Sequence, residues 1–173
     1  MARPNPETIS NRIPAAIKTT LQTYLNDYLE DMDVGRTEYL AEIEDVSAGK
    51  CPAIGIFETG GTVIEKSIRG RDGSGNVLPG YVLWEYGVDL QIFVKGMRRE
   101  DTLAKMNHWR DAIKACLEDY YDLGGLAVDI ECAGDEPTLA FQEKSVWLRS
   151  GLVRCTVQAY SMAGATVLAG DTA

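Results

Sequence analysis

No run of about 18 apolar residues occurs anywhere in the chain, so the sequence offers no membrane-spanning helix. The opening residues Met1 to Glu7 lack the apolar stretch of a secretory leader, and the expectation is a protein that stays in the cytoplasm where it is made. Bases are scarce: 17 Lys and Arg stand against 26 Asp and Glu, a net charge of -9. Holding nucleic acid requires clustered cations that displace counterions, so DNA or RNA is excluded as an external ligand. The same acidity suits a surface from which DNA must not stick. Histidine occurs once, which leaves catalytic Ser-His-Asp, Cys-His and multi-histidine metal designs dependent on His108 alone. The four cysteines, Cys51, Cys116, Cys132 and Cys155, form no C-x-x-C pair, and the simplest expectation is four small buried hydrophobes in a reducing compartment. Three tryptophans, at 84, 109 and 147, are too scattered to build a sugar-binding cleft.

What remains is ordinary globular material. At 173 residues, with 45% hydrophobic and 25% charged side chains, the chain suits one domain with a real core, predicted over residues 1–160, followed by a flexible tail over 161–173. Its organising stretch runs from Tyr81 to Gly125. Tyr86, Val88, Leu90, Ile92 and Val94 recur at every second position, the period of a strand with one covered face. Leu103, Met106, Trp109 or Arg110, Ile113, Cys116 or Leu117, and Tyr120 then recur at helical spacing, with Asp101 as expected N-cap and Gly124-Gly125 as the stop.

The flanking segments extend this pattern. Asn5-Pro6-Glu7 predicts a helix start, and Ile13, Ile17, Leu21, Tyr24, Tyr28 and Met32 trace its apolar stripe, with Pro14 marking a kink or a restart. Short strands are expected at Tyr39–Ile43, Ala53–Phe57 and Thr62–Arg69, separated by Gly49, Pro52 and Gly60-Gly61. The turn-rich run from Gly70 to Gly80 makes Thr62–Arg69 and Tyr81–Val94 a hairpin with a long tip. Leu126–Cys132 and Trp147–Tyr160 read as strands and Ala133–Ser145 as loop. Helix, strands, helix, strands predicts an α+β fold: a mostly antiparallel β-sheet with two α-helices packed on one face and a long β-hairpin.

No catalytic or cofactor constellation emerges. His108 has Ala104, Asp111 and Ala112 at helical spacing, which supply no metal-ligand set and leave it a rim histidine. Gly70-Arg-Asp-Gly-Ser-Gly75 lacks the Gly-Lys-Ser/Thr and the following helix of a phosphate loop. The carboxylate pairs Glu58 with Glu65 and Asp129 with Glu131 fit solvated strand faces better than acid–base machinery. The basic pairs Arg98-Arg99 and Arg69-Gly-Arg71 flank strand ends, where they would meet an acidic neighbour.

The layout resembles the tail terminator proteins of long-tailed bacteriophages, over about residues 6 to 160. The resemblance rests on the order of features and on four phrases: Ile13-Pro-Ala-Ala-Ile-Lys-Thr-Thr-Leu21; the strand Tyr86–Val94 leading into Leu103–Tyr121; Leu123-Gly-Gly125; and Leu152-Val-Arg-Cys-Thr-Val-Gln-Ala-Tyr160. It implies a homo-oligomeric ring of six subunits in the tail and neck of the virion, assembled in the host cytoplasm. Such a ring caps the tail tube protein on one face, ends tube growth and meets the head-neck stopper or connector on the other. DNA passes through its lumen without specific binding. No enzyme activity, cofactor, metal or membrane belongs to that role. Arg69, Arg71, Asp72, Asn76, Arg98 and Arg99 are the candidate assembly contacts. The alternatives are another neck or head-completion protein, a small-ligand-binding α+β module built around Trp84 or Trp147, and an enzyme using Asp or Glu alone.

Overall fold

Alternate apolar residues stay dry only where a strand has a covered face, and β3 (Tyr81–Gly96) has one: Tyr86, Val88, Leu90, Ile92 and Val94 are all buried. The structure, a computed structural model, describes residues 9–29, 37–40, 46–66, 73–74, 81–135 and 138–162. A six-stranded sheet surrounds β3 in the order β1 (Glu38–Leu40), β2 (Ala53–Lys66), β3, β6 (Val146–Met162) and β4 (Asp129–Asp135). A further strand, β5 (Leu139–Glu143), pairs with the first residues of β6. Only β1 joins in parallel; the other pairs are antiparallel. Helices α1 (Ile9–Tyr24) and α2 (Arg99–Asp119) share one apolar core with this sheet, which makes the fold α+β with a long β2–β3 hairpin.

Register explains why the core lies on one face. Rows run straight across the sheet: Ile54–Ile92–Gly151, Ile56–Leu90–Val153, Val88–Cys155–Cys132 and Tyr86–Val157–Ile130. Over them α2 lays Met106, Trp109, Ile113, Cys116 and Leu117, and α1 adds Ile13, Ile17 and Leu21. Each fully buried aliphatic of this kind contributes about 1.5–3 kcal/mol. The crossing of α2 over β6 is close because Gly151 has no side chain: a Cβ there would stand 2.6 Å from the Met106 sulfur and 3.1 Å from Arg110 Nε. Arg110 is itself buried beside it.

Several boundaries differ from the sequence expectation. Gly60-Gly61 does not break the chain into two strands; β2 runs through it for 14 residues with register shifts at Glu58/Gly60 and Val63/Glu65. Gly60 takes φ 121° there, a backbone that L side chains avoid, so the glycine makes a bulge in a continuous strand. The strand expected at Leu126–Cys132 begins three residues later, because Asp122 and the left-handed residues Leu123, Gly124 and Gly125 carry the turn to Ala127. The segment expected as loop, Ala133–Ser145, contains the end of β4 and all of β5. Asp101 is not the N-cap of α2; Arg98 holds that position with extended backbone, and Glu100 and Asp101 occupy the first turn, where the helix dipole favours acids. Leu103 points out and Thr102 is buried in its place. Helix α1 runs through Pro14 and passes into a 3₁₀ turn at Leu25–Asp27. The expected helix start at Asn5-Pro6-Glu7 and the tail beyond 162 lie outside the described residues, as does most of the hairpin tip.

The back of the sheet is different. At one end Cys51, Ala53, Phe93 and Leu148 form a small second core under Leu40, Val46 and Ala48. The 3₁₀ turn Ala48–Lys50 is pinned there by an Ala48 N–H donating to Glu143 Oε2 (2.7 Å) and Lys95 Nζ donating to Ala48 O (3.3 Å). Beyond that core no helix among the described residues covers this face.

Candidate assembly surfaces

Three surfaces stand out once the side chains are placed. The first is the corner where β3 turns into α2. Met97, 74% exposed, stands next to the exposed pair Arg98 and Arg99. Behind it Arg149, 7% exposed, holds the first turn of α2 from β6: its Nε donates to Thr102 Oγ1 (3.2 Å), Nη2 to Arg99 O (3.4 Å) and Nη1 to Thr138 Oγ1. Thr102 Oγ1 in turn donates to Arg99 O (2.7 Å). Burial pushes the Arg149 guanidinium below its ordinary pKa, and the neighbouring Arg99 cation adds to that. Arg149 is the functional-looking residue that the sequence reading missed. The signal was present: stepping back by twos from Cys155 and Val153 gives Gly151 and Arg149 at inward positions.

The second surface is a groove of about 440 Å³ at the opposite end of α2, lined by Ala16, Thr20 and Tyr24 of α1 and by Tyr120, Leu123 and Leu126. Tyr24 and Tyr120 stack with ring centroids 3.8 Å apart and planes 9° from parallel. The Tyr28 hydroxyl donates to Asp119 Oδ2, which ties the end of α1 to the end of α2 and raises the Tyr28 pKa, chiefly through that hydrogen bond. Asp122, on the groove wall, accepts from Gly124 N–H through Oδ1 (3.1 Å). Burial raises the Tyr120 pKa, reinforced by the charges of nearby Asp27 and Asp119. The groove is therefore aromatic, with one carboxylate, Asp122, in its wall.

The third surface is the part of the back of the sheet that no helix covers among the described residues. Glu85, Asp89, Asp129 and Glu131 lie on it with Arg154, whose Nε stands 3.6 Å from Asp89 Oδ1. Towards the far end of β2, β3 and β6, Val63, Ile64 and Tyr160 are exposed while Val82 and Ala159 are buried.

Of the candidate contacts, Arg98 and Arg99 fall together at the β3–α2 corner, whereas Arg69, Arg71, Asp72 and Asn76 lie outside the described residues. His108 is exposed on α2, and no group of three His, Cys, Asp or Glu suited to a metal occurs among the described residues. Asp129 and Glu131 share an exposed strand face, as expected of solvated acids; Glu58 and Glu65 lie on either side of the second bulge. The tryptophans share no cleft: Trp109 is in the core, while Trp84 stacks on Tyr86 and Trp147 is half-buried at the start of β6. The cysteine expectation holds for Cys51 and Cys116, which are free and buried, and fails for the other two. Cys132 and Cys155 are bonded across β4 and β6, because the register sets them directly opposite one another on the core face.

No protein-family model matches the chain, and no curated protein matches it either. Among solved structures, a chain from the virion of a native gene transfer agent particle is similar over 84% of this chain and 94% of its own, with 8% identity and a TM-score of 0.38. A likeness at that level carries no argument about function. No helix among the described residues is long and apolar enough to cross a membrane.

Proposed function

We propose that this chain is a structural ring subunit of a phage-type virion, in the manner of a tail terminator. It caps the tail tube, ends its growth and offers its other face to the neck; it performs no chemical reaction. The observation that carries the reading is the two-sidedness of the sheet. One face is covered by α1 and α2, while the other carries neither of them and displays Glu85, Asp89, Asp129 and Glu131 with Arg154. A six-copy ring with that face turned inward has a lumen of net negative charge, which repels phosphates and lets DNA slide. The net charge of -9 points the same way. Six subunits related by rotation need an interface of two different patches that closes on itself.

Mass photometry and negative-stain imaging of the purified chain, over a wide concentration range and with tail tubes added, test the proposal. Sixfold rings, or sixfold caps on tube ends, are the expected result. A chain that stays monomeric at every concentration and leaves tube length unchanged would overturn it. Caps that form on necks but never on tubes would instead favour a head-completion role.

A further inference from the structure

The two ends of α2 are chemically complementary. At its start, Met97 stands out from the surface with the exposed Arg98 and Arg99 beside it, ahead of Glu100 and Asp101 in the first turn of the helix. At its finish lies the groove of Tyr24, Tyr120, Leu123 and Leu126, with Asp122 in its wall, Asp119 at the end of the helix held by the Tyr28 hydroxyl, and no cation in its lining among the described residues. A thioether and guanidinium groups are what such a lining takes: sulfur packs against aromatic rings, guanidinium stacks on tyrosine faces, and the carboxylate in the wall pairs with an arginine.

One copy cannot join its own two ends. They are separated by the 21 residues of α2, a span of roughly 30 Å. Two copies meeting through like ends would set arginine against arginine and carboxylate against carboxylate, so the start of one copy must meet the finish of another. A reciprocal twofold pair would make that contact twice and stop at a dimer, an outcome that would overturn the ring.

We infer that Met97, Arg98 and Arg99 of one copy seat in the groove between α1 and the exit of α2 of the next copy, so that this chain associates head to tail with itself. This rests on the ring reading above and names the contact that would build the ring. Head-to-tail contacts of this kind generate closed rings when the rotation between neighbours closes, and filaments when it does not.

Two variants separate the contact from the reading. Arg98→Glu with Arg99→Glu spoils the projecting end and leaves the groove intact. Thr23→Trp, at an exposed groove position, blocks the groove and leaves the arginines intact. Circular dichroism and thermal melts establish that each remains folded, and Thr23→Leu serves if the tryptophan variant does not. Each variant alone should need at least about tenfold more protein for half-assembly, a loss of about 1.4 kcal/mol per contact. Mixed one to one, the two should recover a single intact contact and stop at heterodimers. Assembly that survives both variants, or folded variants that fail to pair on mixing, would overturn the contact while leaving the ring. An unmodified chain that never assembles would overturn the ring reading and the contact together.

Discussion

Gly151 of β6 lies directly beneath Met106 of α2, so that a Cβ on the glycine would stand 2.6 Å from the methionine sulfur. Met106 is fully buried and has no solvent side to retreat to. Gly151→Ala should therefore lower the unfolding free energy by about 1–3 kcal/mol, the usual cost of overpacking a core. The change should appear as a lower denaturant midpoint at unchanged slope. In a Met106→Ala background the same substitution should cost less, since the space it needs is already open.

The bond between Cys132 and Cys155 ties edge strand β4 to the long strand β6. Alkylation after unfolding without reductant should modify two cysteines, Cys51 and Cys116, and the intact mass should be lighter by two hydrogens than the sequence mass. Replacing both bonded cysteines with alanine should cost about 2–4 kcal/mol. Hydrogen exchange should rise first in Ile130 to Ala133. Four reactive thiols in freshly purified protein would contradict the pairing.

Arg149 fastens three segments at once: the first turn of α2, Thr138 before β5, and β6 itself. Arg149→Met should destabilise the chain by about 2–3 kcal/mol, because hydrogen bonds from a charged donor are lost and Thr102 loses a buried partner. Arg149→Lys should restore little of this, since an ammonium cannot reproduce three donors in a planar fork. The signature of the loss is faster exchange at the start of α2, read by mass spectrometry, with the α2 exit unchanged.

The alkaline limb of stability should be steep. Burial pushes the Cys51 thiol from its ordinary 9.0 up to about 11, the Cys116 thiol up to about 12 and the Tyr39 phenol from 10.0 up to about 12. All three are raised, so the folded chain keeps these protons after the unfolded chain has released them. Their stabilisation is whole below about pH 9 and is lost as pH climbs through 11 to 12. Urea titrations from pH 8 to 12 should show a continuous fall, flattened in part by Cys51→Ala and Cys116→Ala. A flat profile to pH 11 would refute the assignment.

Elements whose burial follows a clean period were legible from the sequence. Tyr86 to Val94 and Val153 to Ala159 alternate because the helices cover one face, and Met106 to Leu117 repeats because the sheet covers one stripe. β5 was not legible, since Leu139 and Phe141 are apolar residues left exposed on a hairpin edge and therefore carry no inward-outward contrast. Gly60-Gly61 misled for the opposite reason: paired glycines signal a break, but here they supply a bulge inside a strand whose pairing with β3 continues on both sides. The Cys132–Cys155 bond depends on register between strands that are distant in sequence, which no local pattern encodes. The groove likewise draws on α1 and the turn after α2, roughly a hundred positions apart along the chain.

The disparity in length between sheet and helices has a mechanical consequence. The 16 residues of β3 reach roughly 50 Å, against roughly 30 Å for the 21 residues of α2. The surplus is an overhang: strands β2, β3 and β6 continue past the end of α2 with Ile64 and Tyr160 open to solvent. A load at its free end acts on the Tyr86–Val157–Ile130 row as a torque multiplied by the overhang. That load reaches the row through the backbone hydrogen bonds of β2, β3 and β6 and not through the helices.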